Sequence, residues 1–251
     1  MTYPSTYTVG SVYAAMPGYF SGRSISSAQC YEATRKAALE LSENYKLPLL
    51  QGTGPTVTLT IGVNNYPYSL FQNPADAGLE INKFDSFFIY YNGPPVAGSA
   101  ENAGFPLKFK TINDLEILTN IQGLPTNWTR HEGVIYFAMC PDQIYYVYLR
   151  YQKEHPFPNA GTNNAGLDQL LFPNSWQDII EYATAERLAS AFDLTDRQAR
   201  FHTMLYGDPK FQATGGTEGA PGLLFARTSQ EQRDQTTTTK SMRLMMRPVS
   251  R

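Results

Sequence analysis

The residue types that most often do chemistry are thinly spread along this chain of 251 residues. Its three histidines are His131, His155 and His202, and none has a second histidine, cysteine or carboxylate at the spacing of a zinc motif. No serine stands in the G-x-S-x-G turn that exposes a catalytic nucleophile. We therefore expect no catalytic residue, no metal site and no cofactor.

Carboxylates are the remaining candidates for catalysis, because glycan hydrolysis requires a pair that converges in a cleft. The chain offers Asp142 and Asp168, and also Asp178 with Glu181. The last two fall in the first turns of a predicted helix, where negative charge is stabilised by the helix dipole. A hydrolase acting on cell wall or glycan is thus an alternative that depends on the fold bringing two carboxylates together.

Aromatic residues are abundant, with 17 tyrosines and 14 phenylalanines. Residues 144–148, Ile-Tyr-Tyr-Val-Tyr, predict a strand whose rings either pack in a core and a subunit interface or form a platform for sugars or bases. We favour core and interface, with Tyr145 and Tyr148 as contacts between subunits. The alternative is a carbohydrate- or receptor-binding module that uses the aromatic strands.

Charge is distributed unevenly along the chain. Residues 227–251 carry six basic and two acidic residues, a net charge of +4, so the first 226 residues carry −6 of the total of −2. A total near zero excludes a strongly basic nucleic-acid binder. The end of the chain alternates basic and apolar residues, which suits docking in an acidic, partly apolar groove of a partner. The expected contacts are Lys240, Met242, Arg243, Leu244, Met245, Met246 and Arg247.

Helical periodicity occurs on both sides of a central region. Ser26 and Gln29 predict a capped helix that Pro48 ends. Two further helices are predicted, with Ser175 and Asp178 capping the first and Thr195 with Gln198 capping the second. On the first of these two, Glu181 and Arg187 either form ion pairs between subunits or lie on an exposed face, and the sequence leaves both possibilities open.

The central region has the two-residue period of strands. Alternation over 57–61, the aromatic run 84–91 and the segment 143–151 predict a β-rich unit. A hairpin is predicted where strands 128–131 and 134–137 flank Glu132-Gly133, and a short helix is predicted from Thr111 to near Ile121. The fold class is therefore α+β, with a small bundle formed by the N-terminal helix and two C-terminal helices, and an inserted β-rich domain that resembles a sandwich or barrel. The predicted boundaries are an extended arm over 1–25, a helical domain over 26–54 and 153–210, a β-rich domain over 55–152 and an extended arm over 211–251.

The sequence contains few signals that indicate a cellular compartment. The first residues lack the basic and apolar regions of a secretory signal, and no apolar run is long enough to cross a membrane. We expect a cytoplasmic chain that has no membrane partner and in which Cys30 and Cys140 are free thiols.

The order of several segments resembles a known family. A helix ending in ALELSENYKLPLL is followed by TVTLTIGVNNYPYSLF, by GLPTNWTRHEGVIYFAMCPDQIYYVYLRYQKEHPF, by LFPNSWQDIIEYATAERLASAFDLTDRQARFHTMLYGDP and by a tail rich in glycine, threonine and arginine. Over residues 26–251 this order resembles the head-to-tail adaptor (connector) proteins of tailed bacteriophages, especially the short-tailed ones. No part of the resemblance covers residues 1–25.

The resemblance implies a structural, non-enzymatic virion protein at the head-to-tail junction, assembled in the host cytoplasm. Such adaptors form a homo-oligomeric ring, commonly of twelve copies, beneath the portal protein. Their C-terminal arm reaches along portal subunits, their β part faces a tail nozzle or tail tube protein, and genomic DNA passes through the lumen without specific binding. Lys240 to Arg247 would then be the portal-binding segment.

Overall fold

The computed structural model describes residues 7–76, 78–90, 93–94, 104–113, 118–215 and 218–229. The chain is mixed α+β, as the sequence predicts, and divides into two compact units. Met1–Leu41 and Phe157–Arg251 form the helical unit, and Ser42–Pro156 forms the sheet unit. The first limit, at 41/42, lies 13 residues before the predicted 54/55, and the second, at 156/157, lies four residues after the predicted 152/153.

The helical unit is organised around one helix that is buried on nearly all sides. Its described helices are α1 (Val9–Tyr19), α2 (Ser27–Asn44), α3 (Gln177–Ala191), α4 (Thr195–Tyr206) and α5 (Pro209–Ala213). The last three residues of α2, from Ser42 on, belong to the sheet unit. A helix that is apolar all round belongs in the interior, and α3 buries Ile179, Ile180, Ala183, Thr184, Ala185, Leu188 and Ala189. α3 is therefore the centre of this core.

Helix α1 corrects the prediction of an extended arm over residues 1–25. Thr8 and Ser11 form a capping box, in which the Ser11 backbone N–H donates to Thr8 Oγ1 at 3.2 Å. Val9, Val12 and Met16 are buried, a three- and four-residue spacing that defines one helix face. The local content of glycine, proline and tyrosine masked this spacing in the sequence.

The predicted helix caps are right for α2 and wrong for the other two. Ser26 Oγ accepts the backbone N–H of Gln29 at 3.2 Å, as predicted. α3 has Trp176 as its N-cap and α4 has Leu194, and neither makes a side-chain capping hydrogen bond. The chain enters α3 through a 3-10 turn, and it enters α4 through a turn closed by the backbone bond from Leu194 N–H to the Ala189 carbonyl. Ser175 and Thr195 are consequently not caps.

The sheet unit contains one eight-stranded sheet and one two-stranded sheet. Its strands are β1 (Gln51–Thr53), β2 (Val57–Leu59), β3 (Asn65–Pro67), β4 (Ile81–Tyr90), β5 (Phe105–Phe109), β6 (Leu118–Gln122), β7 (Asn127–His131), β8 (Val134–Phe137), β9 (Met139–Cys140) and β10 (Tyr145–Lys153). The large sheet runs β1-β10-β4-β5-β7-β8-β3, with β2 also paired to β10. Only the β5–β7 pair in it is parallel.

Strand β6 corrects the prediction of a short helix ending near Ile121. It pairs in parallel with β9, and the described residues just after Thr111 form a turn. A cap-like sequence favours a helix only locally, and pairing with a distant strand overrides that preference.

The core of the sheet unit is built from alternate residues of its long strands. It comprises Leu59, Tyr66, Phe71, Ile81, Phe87, Ile89, Leu107, Trp128, Ile135, Phe137, Tyr145, Val147, Leu149 and Tyr151. The β7–β8 hairpin turns at Glu132 and Gly133, both with positive φ, as the sequence predicts for a two-residue turn. The thiols of Cys30 and Cys140 are buried, and no disulfide joins them.

The predicted C-terminal arm is not extended over its first part. Asp208 accepts the backbone N–H groups of Phe211 at 2.7 Å and Ala220 at 2.8 Å, which folds the loop after α5 back on itself. Residues 223–229 are helical, with Leu224 buried and the Phe225 ring 5.1 Å from the Phe211 ring. The predicted portal contacts, Lys240 to Arg247, lie outside the described residues. Among the described helices, none has the length and apolarity needed to cross a membrane.

Candidate functional site

Glu181 lies between two tyrosines of the same chain. Tyr19 Oη donates to one carboxylate oxygen at 2.6 Å, and Tyr7 Oη donates to the other. Burial, reinforced by Glu181, raises the pKa of Tyr7 and of Tyr19 well above the ordinary range of a phenol. Glu181 therefore joins the start and the end of the α1 segment to α3.

Arg187 also has a partner within the chain. Its guanidinium donates to a carboxylate oxygen of Glu40 on α2, and both side chains remain partly exposed. Glu181 and Arg187 thus have different partners within the chain: Glu181 binds the α1 segment, and Arg187 binds α2. Ion pairs from these two residues to another subunit stay a prediction, and they would compete with these internal contacts.

Tyr145 belongs to the core of the sheet unit. It is 2% exposed, and its hydroxyl donates to Asp142 Oδ1 at 2.5 Å. Burial, helped by Asp142, raises its pKa to about 12. A ring enclosed in this way has no surface for a neighbouring subunit, so the predicted interface role does not fit Tyr145.

Tyr148 lies on the opposite face of β10, in what we call the aromatic ladder: Phe88, Tyr90, Tyr148 and Arg150. The Tyr148 ring stacks on Phe88 with centroids 5.4 Å apart and on Tyr90 at 5.7 Å. The register that places Tyr148 opposite Phe88 brings the rings together. The contacts of Tyr148 with Phe88, Tyr90 and Arg150 could not be predicted from the sequence, because only the pairing of β4 with β10 brings these residues together.

The two ends of the aromatic ladder are occupied. The Arg150 guanidinium lies 5.0 Å from the centroid of Phe88, and Gly104 sits so close to Tyr90 that a Cβ there would lie 2.3 Å from the ring. Each ring of the ladder is therefore covered by a neighbouring ring, by Arg150 or by Gly104. Stacking of a sugar requires an open ring face, so this arrangement favours a packing role for the ladder.

Two exposed arginines stand out on the sheet unit. Arg150 caps the aromatic ladder, and Arg130 lies 4.8 Å from the Phe84 centroid and 5.2 Å from the Tyr68 centroid. Neither forms an ion pair within the part of the chain that the structure describes. A guanidinium held on aromatic rings is preorganised to bind a carboxylate or phosphate of a partner.

The histidines and carboxylates weighed for chemistry have structural contacts. His202 Nδ1 lies 2.8 Å from Glu186 Oε1, and Asp168 Oδ1 accepts two hydrogen bonds from Asn159. Within the described ranges no group of three or more His, Cys, Asp or Glu residues could hold a metal ion. His131 is exposed and lies 3.6 Å from its neighbour Glu132.

Comparison with known proteins gave no assignment: no protein-family model matches the chain, and no curated protein matches its sequence.

Proposed function

We propose that this protein is a structural virion protein, a ring-forming adaptor at the head-to-tail junction of a tailed bacteriophage. In this proposal it is not an enzyme. Copies form a ring, commonly of twelve, which docks on the portal protein, extends the DNA channel and offers the attachment surface for a tail nozzle or tail tube protein.

One observation carries the proposal. The two ends of the chain, Met1–Leu41 and Phe157–Arg251, form one helical unit, and the middle of the chain forms a unit with all the described strands. A β-rich domain inserted into a small helical bundle is the arrangement that the resemblance to head-to-tail adaptors implies. The order of the quoted segments and this division of the chain therefore support the same function.

The surfaces of the ring follow from the contacts described above. On the face of β10 opposite the core, Arg150 is exposed and Tyr148 is buried beneath its neighbours, and we assign an inter-subunit role to this face, with Arg150 as its exposed contact. Arg150 has no acidic partner among the described residues, so a carboxylate of the next copy would form an ion pair with it.

Electron microscopy of the protein mixed with the portal protein of the same virus tests the proposal. We expect a ring of this protein stacked on the portal ring in negative stain, and co-sedimentation of the two proteins. A chain lacking residues 236–251 is the matched variant, and it should lose most of the co-sedimentation. A protein that stays monomeric and does not bind the portal would contradict the proposal.

A further inference from the structure

A cavity of about 380 Å³ lies within the helical unit, between the first turns of α2 and the loop of residues 157–168. The residues that line it include Tyr31, Phe157, Glu32, Asp168 and Arg35. Sites for small ligands have this size and combine apolar walls with a few polar groups. The proposed adaptor function makes no use of this cavity.

Asp168 is the buried polar group of the cavity, with 3% of its surface exposed. Its Oδ1 accepts the backbone N–H of Asn159 at 3.1 Å and the side-chain amide of Asn159 at 2.7 Å. Its Oδ2 accepts no hydrogen bond from any residue that the structure describes. Among the described residues, the fully buried side-chain polar atoms without a partner are Asn64 Nδ2 and Thr129 Oγ1, so Asp168 Oδ2 is accessible although the residue as a whole is buried. Oδ2 is therefore the carboxylate oxygen that a donor can reach.

The walls of the cavity are already in place. The backbone carbonyl of Asp168 accepts the N–H of Val9 at 3.0 Å, which ties the loop to the start of α1. On the other side, Gly166 lies against Tyr31, since a Cβ at Gly166 would be 2.7 Å from the Tyr31 hydroxyl. A preformed wall spares a ligand the entropy cost of ordering it.

The two carboxylates at the cavity differ in their partners. The guanidinium of Arg35 binds both oxygens of Glu32, at 3.1 and 3.0 Å, and Lys36 lies 3.4 Å from the same carboxylate. Glu32 is thereby neutralised, whereas Asp168 has no basic partner among the described residues. The aromatic rings of Tyr31 and Phe157 add the attraction of π faces for cations.

We propose that the cavity binds an alkylammonium or guanidinium group, with Asp168 Oδ2 accepting its N–H and the rings of Tyr31 and Phe157 contacting its carbon chain. Two sources supply this chemistry. One is a free polyamine, and the other is a basic side chain of the C-terminal segment 240–251 of this protein. Binding of a polyamine would be independent of the portal, whereas binding of segment 240–251 would compete with the proposed docking of that segment on the portal.

Isothermal titration calorimetry of the full chain and of the variant lacking residues 236–251 distinguishes the sources, with spermidine as one probe and a synthetic peptide of residues 240–251 as the other. The shortened variant is needed because the C-terminal segment of the full chain would compete with either probe. We expect saturable binding of at least one probe with one site per chain. Asp168→Asn keeps an acceptor for Asn159 but removes the charge, and it should weaken binding at least tenfold. Asp196→Asn, at an exposed aspartate of α4, is the control and should leave binding unchanged.

Each result of the titrations decides a point. Saturation by spermidine alone identifies a polyamine site, and saturation by the peptide alone identifies the C-terminal segment as the ligand. No saturation by either probe up to about 10 mM, equivalent to less than about 3 kcal/mol of binding, overturns the proposal. Binding that Asp168→Asn leaves intact also overturns it. If Asp168→Asn does not fold, Phe157→Leu takes its place, with binding expected to weaken several-fold.

Discussion

His155 is a buried histidine, 1% exposed, whose Nδ1 lies 3.1 Å from the Pro156 carbonyl. Burial lowers its pKa from the ordinary 6.5 to about 4, although the carbonyl contact acts in the opposite direction. The unfolded chain therefore binds a proton as the pH falls through 6.5, while the folded chain resists it until about pH 4. The stabilisation is complete above pH 6.5, and about 3 kcal/mol of it is lost by pH 4.

Urea denaturation between pH 7.5 and pH 4 measures this dependence. Substitution of His155 by glutamine removes the titrating group, so the variant should lose about 3 kcal/mol less over the same range. Equal slopes for the wild type and His155→Gln would contradict the assignment.

Glu181 offers a second test at the scale of single residues. Its charged carboxylate accepts hydrogen bonds from Tyr7 and Tyr19, and hydrogen bonds to charged groups contribute about 1.5–3 kcal/mol each. Glu181→Gln leaves one phenol facing an amide N–H₂ donor, so we expect a loss of about 2 kcal/mol in the free energy of unfolding. Glu186→Gln on the same helix is the comparison, and a similar loss there would argue against a special role for Glu181.

At the scale of elements, Gln152 on β10 closes the end of α2. Its Nε2 donates to the carbonyls of Ser42 and Tyr45, and its Oε1 accepts the N–H of Leu47 at 2.9 Å. The last carbonyls of a helix have no hydrogen-bond partner within the helix, so the Gln152 side chain provides hydrogen bonds for the backbone groups at this end. Gln152→Leu should cost about 3 kcal/mol in urea unfolding, because it strands buried backbone groups. Gln51→Leu, at the exposed residue paired with it across β1, should cost little.

The same elements show which features of the fold could be predicted from the sequence. The alternation over 57–61 and the turn at Glu132 and Gly133 are local patterns, and they predicted strands and a hairpin correctly. The parallel pairing of β5 with β7 joins strands that are distant in sequence, and no local pattern encodes it. The aromatic ladder depends on the register between β4 and β10. The sequence therefore predicts a contact role for Tyr148 but does not predict its packing against Phe88 and Arg150.

At the scale of the whole molecule, the near-neutral total charge conceals two parts of opposite sign. Residues 227–251 carry +4 and the remainder −6, and the folded part of the predicted arm extends to residue 229. The first part of the predicted arm over 211–251 is therefore not extended. In the proposed complex, the about 22 residues after 229 can reach at most roughly 75 Å along a portal subunit, which is the length of a fully extended chain.

Charge reversal in this segment tests whether its charge or only its apolar residues bind the portal. Arg243→Glu combined with Arg247→Glu should weaken co-sedimentation with the portal at least tenfold at low salt, because an acidic groove would then repel the segment. The difference from the wild type should shrink at high salt, where screening weakens both attraction and repulsion. Arg200→Glu, at an exposed arginine of α4, changes the net charge in the same direction and should leave docking unchanged. If the double variant binds like the wild type while the deletion of 236–251 does not bind, Met242, Leu244, Met245 and Met246 carry the interaction and the groove is apolar rather than acidic.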